Sequence, residues 1–414
     1  MAPKRQEGCC KTEFGNRTYR SGAGEMIQPV LEPFNFEGDL GPHSFRRFLK
    51  YCADQGVSDV LVQGGDYIWA ELHGRQLRAS VSTVKQGQLS VLIAALWSPE
   101  IESLIKQGDE GVDRALEITG SDIGLERGMT LRFRTNFVQA RIANLDEAYS
   151  ITMRVIPVDL PDIHKMGIEP DLFEELFPES GLVIVCGPTG SGKTTFQAGI
   201  YGYIGVVMPD RKVITFDDPI EYVLGGPHWK GPQPAQSQIG RDIKDFPKAM
   251  RNAVRRKPSI IGIGEARDRV SIEAMVEASL SGHTCYATMH TESVAETINR
   301  AIQTYPPEQQ SGIASRLAGA LRVIIVQRLL KTTDGKRAAI REYLVFDREF
   351  RSEMQTLPYN EWAMLIRTKL EEAQATLDDR AWKLFQDGRI LQDEFVGVAG
   401  MKEFRRRSLS AQEN

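Results

Sequence analysis

The stretch that decides the fold is Gly187-Pro188-Thr189-Gly190-Ser191-Gly192-Lys193-Thr194-Thr195, which fits the pattern Gly, four residues, Gly-Lys-Ser/Thr. The apolar run 182–186 precedes it and predicts a buried parallel strand, and the chain from Thr194 to about Ile204 predicts a helix. In this context, backbone N–H groups and the helix N-terminus would hold a phosphate. The stretch therefore predicts a nucleoside triphosphate site, with Lys193 at the outer phosphates and the Thr194 hydroxyl on Mg²⁺.

The composition is that of an ordinary globular protein. The chain has 414 residues, enough for two or three domains, with 41% hydrophobic and 26% charged residues. Its net charge of −4 gives no basic excess, so we expect no direct binding of nucleic acid. The five cysteines form no C-x-x-C pair, which argues against a zinc site and a disulfide framework and suits a reducing cytoplasm. No apolar run approaches the roughly 18–20 residues that cross a bilayer, so we expect any membrane association to come through partners.

The first 155 residues predict a mixed α/β domain with an antiparallel sheet. Residues 1–28 are predicted to be a flexible tail, in which Cys9 and Cys10 are more readily incidental than lipidated. The first domain is predicted to span residues 29–156. Its predicted helices cover 45–55 and 83–97, and its predicted strands cover 58–62, 67–72, 73–77, 122–126, 129–137 and 151–156.

Two prolines, Pro157 and Pro161, predict a linker over residues 157–165, because proline resists both a helix and a central strand. Beyond it, strands and helices alternate, which indicates a parallel sheet covered by helices over residues 166–350. The strands are predicted at 182–186, 212–216, 259–263 and 284–288, and the helices at 246–256, 270–281, 293–303 and 308–327. Residues 351–414 predict a helical region with a basic tail, in which Arg405-Arg406-Arg407 is interpreted as a solvated end.

Acidic side chains follow two of the predicted strands, where open α/β sheets place their ligands. Hydrolysis needs such carboxylates to hold Mg²⁺ and to align an attacking water. Asp217 begins the run Asp217-Asp218-Pro219-Ile220-Glu221, for which a capped turn and a functional site are equally good interpretations. Glu265 follows the buried run 260–263 and a glycine, which favours a functional role over a surface loop.

Two histidines, His283 and His290, flank the predicted strand 284–288. Their spacing differs from the helical H-E-x-x-H pattern, so no zinc site is predicted. A histidine at a strand end can hydrogen-bond a phosphate or a water, or it can be a satisfied core residue. Both interpretations stay open for His290, and the structural one is preferred for His283.

Arginine is the usual stabiliser of charge on a transferring phosphoryl group, and a second subunit can supply it. The composition does not choose among the candidates in this chain. They are Arg132, Arg134 and Arg154 in the first domain and Arg241, Arg251, Arg255 and Arg267 around the stretch that leads to the Glu265 strand.

Four blocks resemble those of the secretion ATPase superfamily, in its order and spacing, over about residues 57–347 and more loosely to 395. They are the phosphate loop 187–195, the Asp box 214–222, the second nucleotide motif 260–268 and the His box 281–291. The runs 132–136 and 153–157 resemble the sheet and linker arginines of the family. Within the superfamily, the chain is most similar to the pilus-retraction ATPases and to their relatives in type IVB secretion and conjugative plasmid transfer.

This resemblance implies a PAS-like α+β N-terminal domain joined to a RecA-like parallel-sheet P-loop ATPase domain, assembled as a ring of six. It implies that Asp217 is the general base, that Glu265 acts through Mg²⁺ and that His290 senses the phosphate. The three arginines that would contact phosphate or gate domain closure are Arg132, Arg134 and Arg241.

The chain departs from the family at three points. Asp217 stands where the family usually has glutamate, and Ser259 replaces the acid usually found before the Glu265 strand. The four-cysteine zinc module of the extension-type relatives is absent from the sequence, which argues against an assembly ATPase of type II secretion or pilus extension.

The predicted function is therefore hydrolysis of ATP to ADP and phosphate by a cytoplasmic hexameric motor. Such a motor would act on a membrane-embedded type IV secretion, conjugation or pilus machine, and inner-membrane components would recruit it to the cytoplasmic face. Two alternatives are a RecA-like motor on nucleic acid, against which the acidic net charge argues, and a scaffold that binds nucleotide without hydrolysing it.

Overall fold

The computed structural model describes residues 30–37, 40–108, 111–126, 130–156 and 159–412. Two sheets organise these residues: an antiparallel sheet of six strands and a seven-stranded sheet that is mostly parallel. The predicted α/β fold class is confirmed. The predicted tail with Cys9 and Cys10, and the first two residues of the predicted linker, lie outside the described residues.

The N-terminal domain is built on the antiparallel sheet. In chain order its elements are α1 (Pro42–Asp54), β1 (Asp59–Gln63), β2 (Trp69–Leu72), β3 (Arg75–Arg78), α2 (Gln86–Leu96), α3 (Glu100–Gln107), β4 (Val112–Ile118), β5 (Leu131–Ile142) and β6 (Leu145–Ile156). The strand order is β3-β2-β1-β6-β5-β4. Alternate side chains of the sheet, such as Phe133 and Phe137, are buried in one core with Phe45 and Phe48 of α1, as the two-residue period of a half-buried strand requires.

The predicted strand at 122–126 is wrong. Residues Ser121–Ile123 form a short 3-10 turn instead. Gly120 and Gly124 flank it with φ angles of 131° and 80°, which interrupt an extended run. The Asp122 carboxylate pairs with Arg46 of α1 at 3.5 Å, so this segment ties the helix to the sheet.

The second domain is built on the mostly parallel sheet. Its elements are α4 (Pro170–Glu175), β7 (Gly181–Cys186), α5 (Lys193–Val207), β8 (Val213–Asp217), β9 (Ala235–Gln238), α6 (Phe246–Arg255), β10 (Ile260–Ile263), α7 (Arg269–Leu280), β11 (Thr284–Met289), α8 (Val294–Gln303), α9 (Pro307–Ala320), β12 (Leu321–Lys331) and β13 (Arg337–Val345). The strand order is β13-β12-β7-β11-β10-β8-β9, and only β13 runs antiparallel to its neighbour. The carboxyl ends of β7, β8, β10 and β11 therefore meet at one edge of the sheet.

The predicted helix at 308–327 is wrong in its second part. Helix α9 ends at Ala320, and the chain continues directly into β12, which pairs in parallel with β7. The run Val323-Ile324-Ile325-Val326 is fully buried and β-branched, and such side chains favour a strand inside a sheet. Strands β4, β9 and β13 were not predicted from the sequence.

The C-terminal region is helical, as predicted: α10 (Arg348–Thr356), α11 (Trp362–Glu372), α12 (Leu377–Gln386) and α13 (Gln392–Gln412). Arg407 is not solvated, because it pairs with Asp379 of α12 at 2.8 Å and with Glu403 at 2.6 Å. Among the described helices, none combines the length and the apolar character that crossing a membrane requires.

Candidate nucleotide site

The phosphate loop has the predicted strand before it and the predicted helix after it. Gly192 caps α5 with a φ of 83°, in the left-handed region that glycine tolerates best. A Cβ atom on Gly187 would collide with the main-chain oxygen of Gln327 on β12. Two glycines of the pattern thus serve backbone geometry, one through its φ and one through close approach to a neighbouring strand.

Lys193 is the buried centre of the loop, with 7% of the residue exposed. Its Nζ donates hydrogen bonds to the main-chain oxygens of Gly187 at 2.8 Å and Pro188 at 3.0 Å. Burial lowers the pKa of Lys193, and the charges of Glu265 and Glu221 are among those that oppose this shift. The ammonium group is held by oxygen atoms that phosphate oxygens can replace.

His290 and Glu265 extend a polar row from this lysine. The Lys193 Nζ lies 3.4 Å from His290 Nδ1, and His290 Nε2 lies 3.6 Å from Glu265 Oε1. Burial and the nearby Lys193 charge lower the pKa of His290, which favours the neutral imidazole. Because an ammonium group can only donate, Nδ1 is the acceptor and the proton on Nε2 faces Glu265. The structure therefore brings these three predicted residues together.

The strands fix the backbone around Glu265. The N–H of Ala266 donates to the main-chain oxygen of Thr288 at 2.8 Å, and the Thr288 hydroxyl donates to the oxygen of Gly264. The Glu265 side chain remains about one-third exposed, at 34%. The carboxylate is thus held at the sheet edge while still open to a ligand.

Asp217 lies at the end of β8, beside this segment. Its Oδ2 accepts a hydrogen bond from the Thr215 hydroxyl at 2.6 Å. A Cβ atom on Gly264 would lie 2.9 Å from Asp217 Oδ1, so a larger residue there would press on the carboxylate. Burial raises the pKa of Asp217 from 3.8 to about 6, the Thr215 bond opposes the rise, and the Glu221 charge adds to it.

The rest of the Asp box places two residues that the sequence analysis did not select. Glu221 is one of the acids whose charge acts on Lys193. The Tyr222 hydroxyl lies 3.0 Å from the Thr195 hydroxyl at the start of α5. Glu221 could have been found from the sequence, because it is a further acid in a block already assigned to the site.

The predicted arginines do not reach the loop in this structure. Arg132 on β5 pairs with Glu117 at 2.9 Å, and Arg241 pairs with Asp242 at 2.9 Å. Arg134 lies on β5 in register with Arg154 on β6. Across the described residues, no hydrogen bond or ion pair joins Arg132, Arg134 or Arg241 to residues 187–195.

Arg154 on β6 pairs with Asp59 of β1, and the charge of Glu221 in the Asp box also acts on it. Burial lowers the pKa of Arg154, whereas the charges of Asp59 and Glu221 raise it, and the pKa is raised overall. The Arg154 Nε lies 2.9 Å from Asp59 Oδ1. The sheet of the first domain thus presents a cation towards the acidic loop of the second.

The donor set fits Mg²⁺ bound together with nucleotide. Within the described ranges, no group of three His, Cys, Asp or Glu side chains could hold a metal ion alone. Mg²⁺ at nucleotide sites uses one or two protein oxygens plus phosphate oxygens and water. The Thr194 hydroxyl in the first turn of α5 and the open Glu265 carboxylate are oxygen donors of that kind.

The raised pKa of Asp217 predicts a pH-dependent cost to stability. An acid with a raised pKa in the folded state binds its proton more tightly there than in the unfolded state. The free energy of unfolding therefore falls as pH rises from 3.8 through about 6. We expect Asp217→Asn to raise the thermal unfolding midpoint at pH 8, by an amount that corresponds to about 3 kcal/mol, and to lose most of this advantage at pH 4. Scanning calorimetry across that range checks it. An advantage that does not change with pH would contradict the assignment.

The fold and the site define a class of protein. A phosphate loop between a central parallel strand and a helix, with Lys193, His290 and Glu265 at one sheet edge, is the arrangement of a P-loop nucleotide-binding domain. A model of the family described as "Type II/IV secretion system protein" matches residues 45–381, and the chain belongs to that family.

Known proteins agree with this placement. The type IV pilus retraction ATPase PilT of Pseudomonas aeruginosa is 29% identical over 298 residues, which cover 72% of this chain and 81% of that protein. The ATPase DotB of Legionella pneumophila superposes with a TM-score of 0.79 at 31% identity and covers 88% of this chain and 98% of DotB. The pilus retraction motor PilT with bound ADP superposes with a TM-score of 0.70 at 26% identity, over 89% of this chain and all of that one (100%). The predicted family and the prediction of an ATPase are confirmed.

Proposed function

We propose that this chain is a hexameric motor that uses Mg²⁺ and ATP to do conformational work on a membrane-embedded type IV secretion, conjugation or pilus machine. The observation that carries the proposal is the row Lys193–His290–Glu265 at the end of the phosphate loop. Membership of the secretion family and likeness to pilus retraction ATPases support the coupling to such a machine.

The phosphates would be held by the loop and by Lys193. On nucleotide binding, the Lys193 ammonium would exchange the two main-chain oxygens of Gly187 and Pro188 for phosphate oxygens. Thr194 and Glu265 would hold Mg²⁺, which supplies charge neutralisation at the phosphate oxygens. The loop and the helix N-terminus add favourable potential for the anion.

Two acids of the Asp box are proposed to serve the attacking water. Asp217 keeps the role of general base that the family pattern implies, and its pKa of about 6 leaves it mostly ionised at pH 7. Glu221 is added because it is a further acid of the same block and its charge acts on Lys193.

His290 is proposed to sense the terminal phosphate. The His290 ring lies between Lys193 and Glu265. A phosphate that binds the Lys193 ammonium would therefore remove the group that His290 Nδ1 now contacts. Arg132, Arg134 and Arg241 are proposed to approach the nucleotide when the two domains close or from a neighbouring subunit, because their present partners, where ion-paired, are surface acids.

A motor of this kind should form a ring. We expect sedimentation velocity of the full chain with Mg²⁺ and the slowly hydrolysed analogue ATP-γS to give the mass of six chains. Single-stranded DNA should leave the rate of ATP hydrolysis unchanged, because the net charge of −4 gives no basic excess for its backbone. A monomer at every protein concentration would contradict the ring, and strong stimulation by DNA would favour the nucleic-acid motor.

A further inference from the structure

A buried arginine lies behind the phosphate loop. Arg341 on β13 is 1% exposed, and its Nε donates to the Gln327 side-chain oxygen at 2.9 Å. Its two terminal nitrogens donate to the main-chain oxygens of Gly167 and Met166, each at 3.0 Å. Glu169 lies 3.5 Å from the guanidinium group and supplies the counter-charge. A buried charge is tolerated only when it is paired and hydrogen-bonded in this way.

Gln327 joins that arginine to the loop. It lies on β12, is 3% exposed, and its Nε2 donates to the main-chain oxygen of Ser191 at 2.7 Å. A Cβ atom on Gly192 would lie 3.1 Å from the same nitrogen, so the fit of Gln327 against the loop is close. The glutamine amide therefore accepts from Arg341 and donates to the loop.

The geometry of the peptide unit gives this contact a consequence. In a planar trans peptide, the C=O of Ser191 and the N–H of Gly192 point in opposite directions. Holding the Ser191 oxygen towards Gln327 directs the Gly192 N–H away from β12. The hydrogen bond thus sets the orientation of one donor of the phosphate loop.

On the side away from the loop, Arg341 contacts the segment that follows the predicted linker. Met166 ends the short 3-10 turn Ile163–Met166, and Gly167 follows it. The Arg341 guanidinium also lies 5.1 Å from the ring centre of Phe196 on α5. One side chain therefore contacts the loop through Gln327, the helix after the loop, and the start of the second domain.

We propose that Gln327 and Arg341 are positioning residues that orient the phosphate loop and transmit its occupancy to residues 166–169. The inference rests on the proposed nucleotide site and adds a route from that site towards the joint between the domains. A displacement of the Ser191 carbonyl on binding would reach Met166 and Gly167 through two hydrogen-bonded side chains. The segment next to the predicted linker would then respond to nucleotide.

The chain offers a matched control. Tyr343 lies two residues further along β13, on the same face as Arg341, and its hydroxyl donates to Asp171 of α4 at 2.6 Å. Tyr343→Phe therefore removes a bond between β13 and the same N-terminal part of the domain without affecting the loop. Gln327→Met removes both hydrogen bonds of the glutamine amide with a side chain of similar length. Arg341→Lys keeps the positive charge but loses the planar guanidinium group that donates in several directions.

The experiment measures ATP-γS binding and amide hydrogen exchange on the full chain. We expect Gln327→Met and Arg341→Lys each to weaken ATP-γS binding about tenfold, and Tyr343→Phe to bind as the parent does. Because the two residues act through one another, the double variant should lose about as much affinity as either single variant, far less than the product of the two losses. In the parent, ATP-γS should slow exchange in residues 163–169, and Gln327→Met should lose this effect while its loop stays protected.

Distinct results would separate the possible failures. Parent-like binding and exchange in a folded Gln327→Met would overturn the inference, and so would equal losses in Tyr343→Phe, which would indicate general packing. If Arg341→Lys fails to fold, Gln327→Met alone decides. Absence of ATP-γS binding by the parent would instead overturn the proposed nucleotide site.

Discussion

Replacing Lys193 by alanine is expected to reduce ATP hydrolysis by about a thousandfold. The ammonium is the buried cation of the site, and it lies within 3.4 Å of His290 and under the influence of Glu265 and Glu221. Its loss removes the charge that would stabilise the outer phosphates in the transition state. Release of phosphate from Mg²⁺-ATP by the purified full chain measures the effect.

The matched control is Lys212→Ala. The Lys212 Nζ also donates to a main-chain oxygen, that of Arg256 at 2.6 Å, but it lies just before β8, at the opposite edge of the sheet from the loop. We expect this variant to keep the parental rate. A Lys193→Ala protein that is folded and hydrolyses ATP at the parental rate would remove the loop from catalysis.

Replacing Glu265 by glutamine is expected to slow hydrolysis by about a hundredfold or more while ATP binding persists. The amide keeps the size of the side chain, and the backbone bonds of Gly264 and Ala266 with Thr288 keep its position. The charge that would hold Mg²⁺ and face the His290 Nε2–H is lost. Gel filtration with radiolabelled ATP should recover intact ATP bound to the variant.

A glutamate outside the site supplies the comparison. Glu273 on α7 pairs with Arg316 at 2.5 Å and accepts from the Tyr305 hydroxyl, so Glu273→Gln also removes a paired charge. We expect Glu273→Gln to hydrolyse ATP at the parental rate, so that no intact ATP is recovered with it after gel filtration. Rapid turnover by Glu265→Gln would exclude Glu265 from the chemistry, and loss of binding in that variant would assign it to affinity instead.

Much of the fold was predictable because local patterns agree with it. The apolar run before the loop and the glycine spacing within it are the direct expression of β7 and the start of α5. Glu265 and His290 lie close together because parallel strands end at one edge of a sheet, which the sequence alone indicates. The helix predicted through Gln327 failed at Leu321, where neighbouring β7 stabilises a strand that sequence periodicity alone did not distinguish from a helix.

The residues that support the loop, Gln327 and Arg341, could not be predicted, because their contacts join parts of the chain that are distant in sequence. Gln327 and Ser191 are 136 residues apart in sequence and meet only because β12 lies beside β7. Arg341 resembles any arginine in an alternating strand until the fold buries it against Met166 and Gly167. Glu221 differs, because it stands in a block that the sequence analysis had already assigned to the site.

The measurement that tests the central claim most directly is steady-state release of phosphate from ATP by the unmodified full chain, with Mg²⁺ and then with an excess of chelator. The row Lys193–His290–Glu265 predicts turnover that stops when Mg²⁺ is removed. A chain that binds Mg²⁺-ATP but releases no phosphate under either condition would contradict the motor and support the nucleotide-held scaffold.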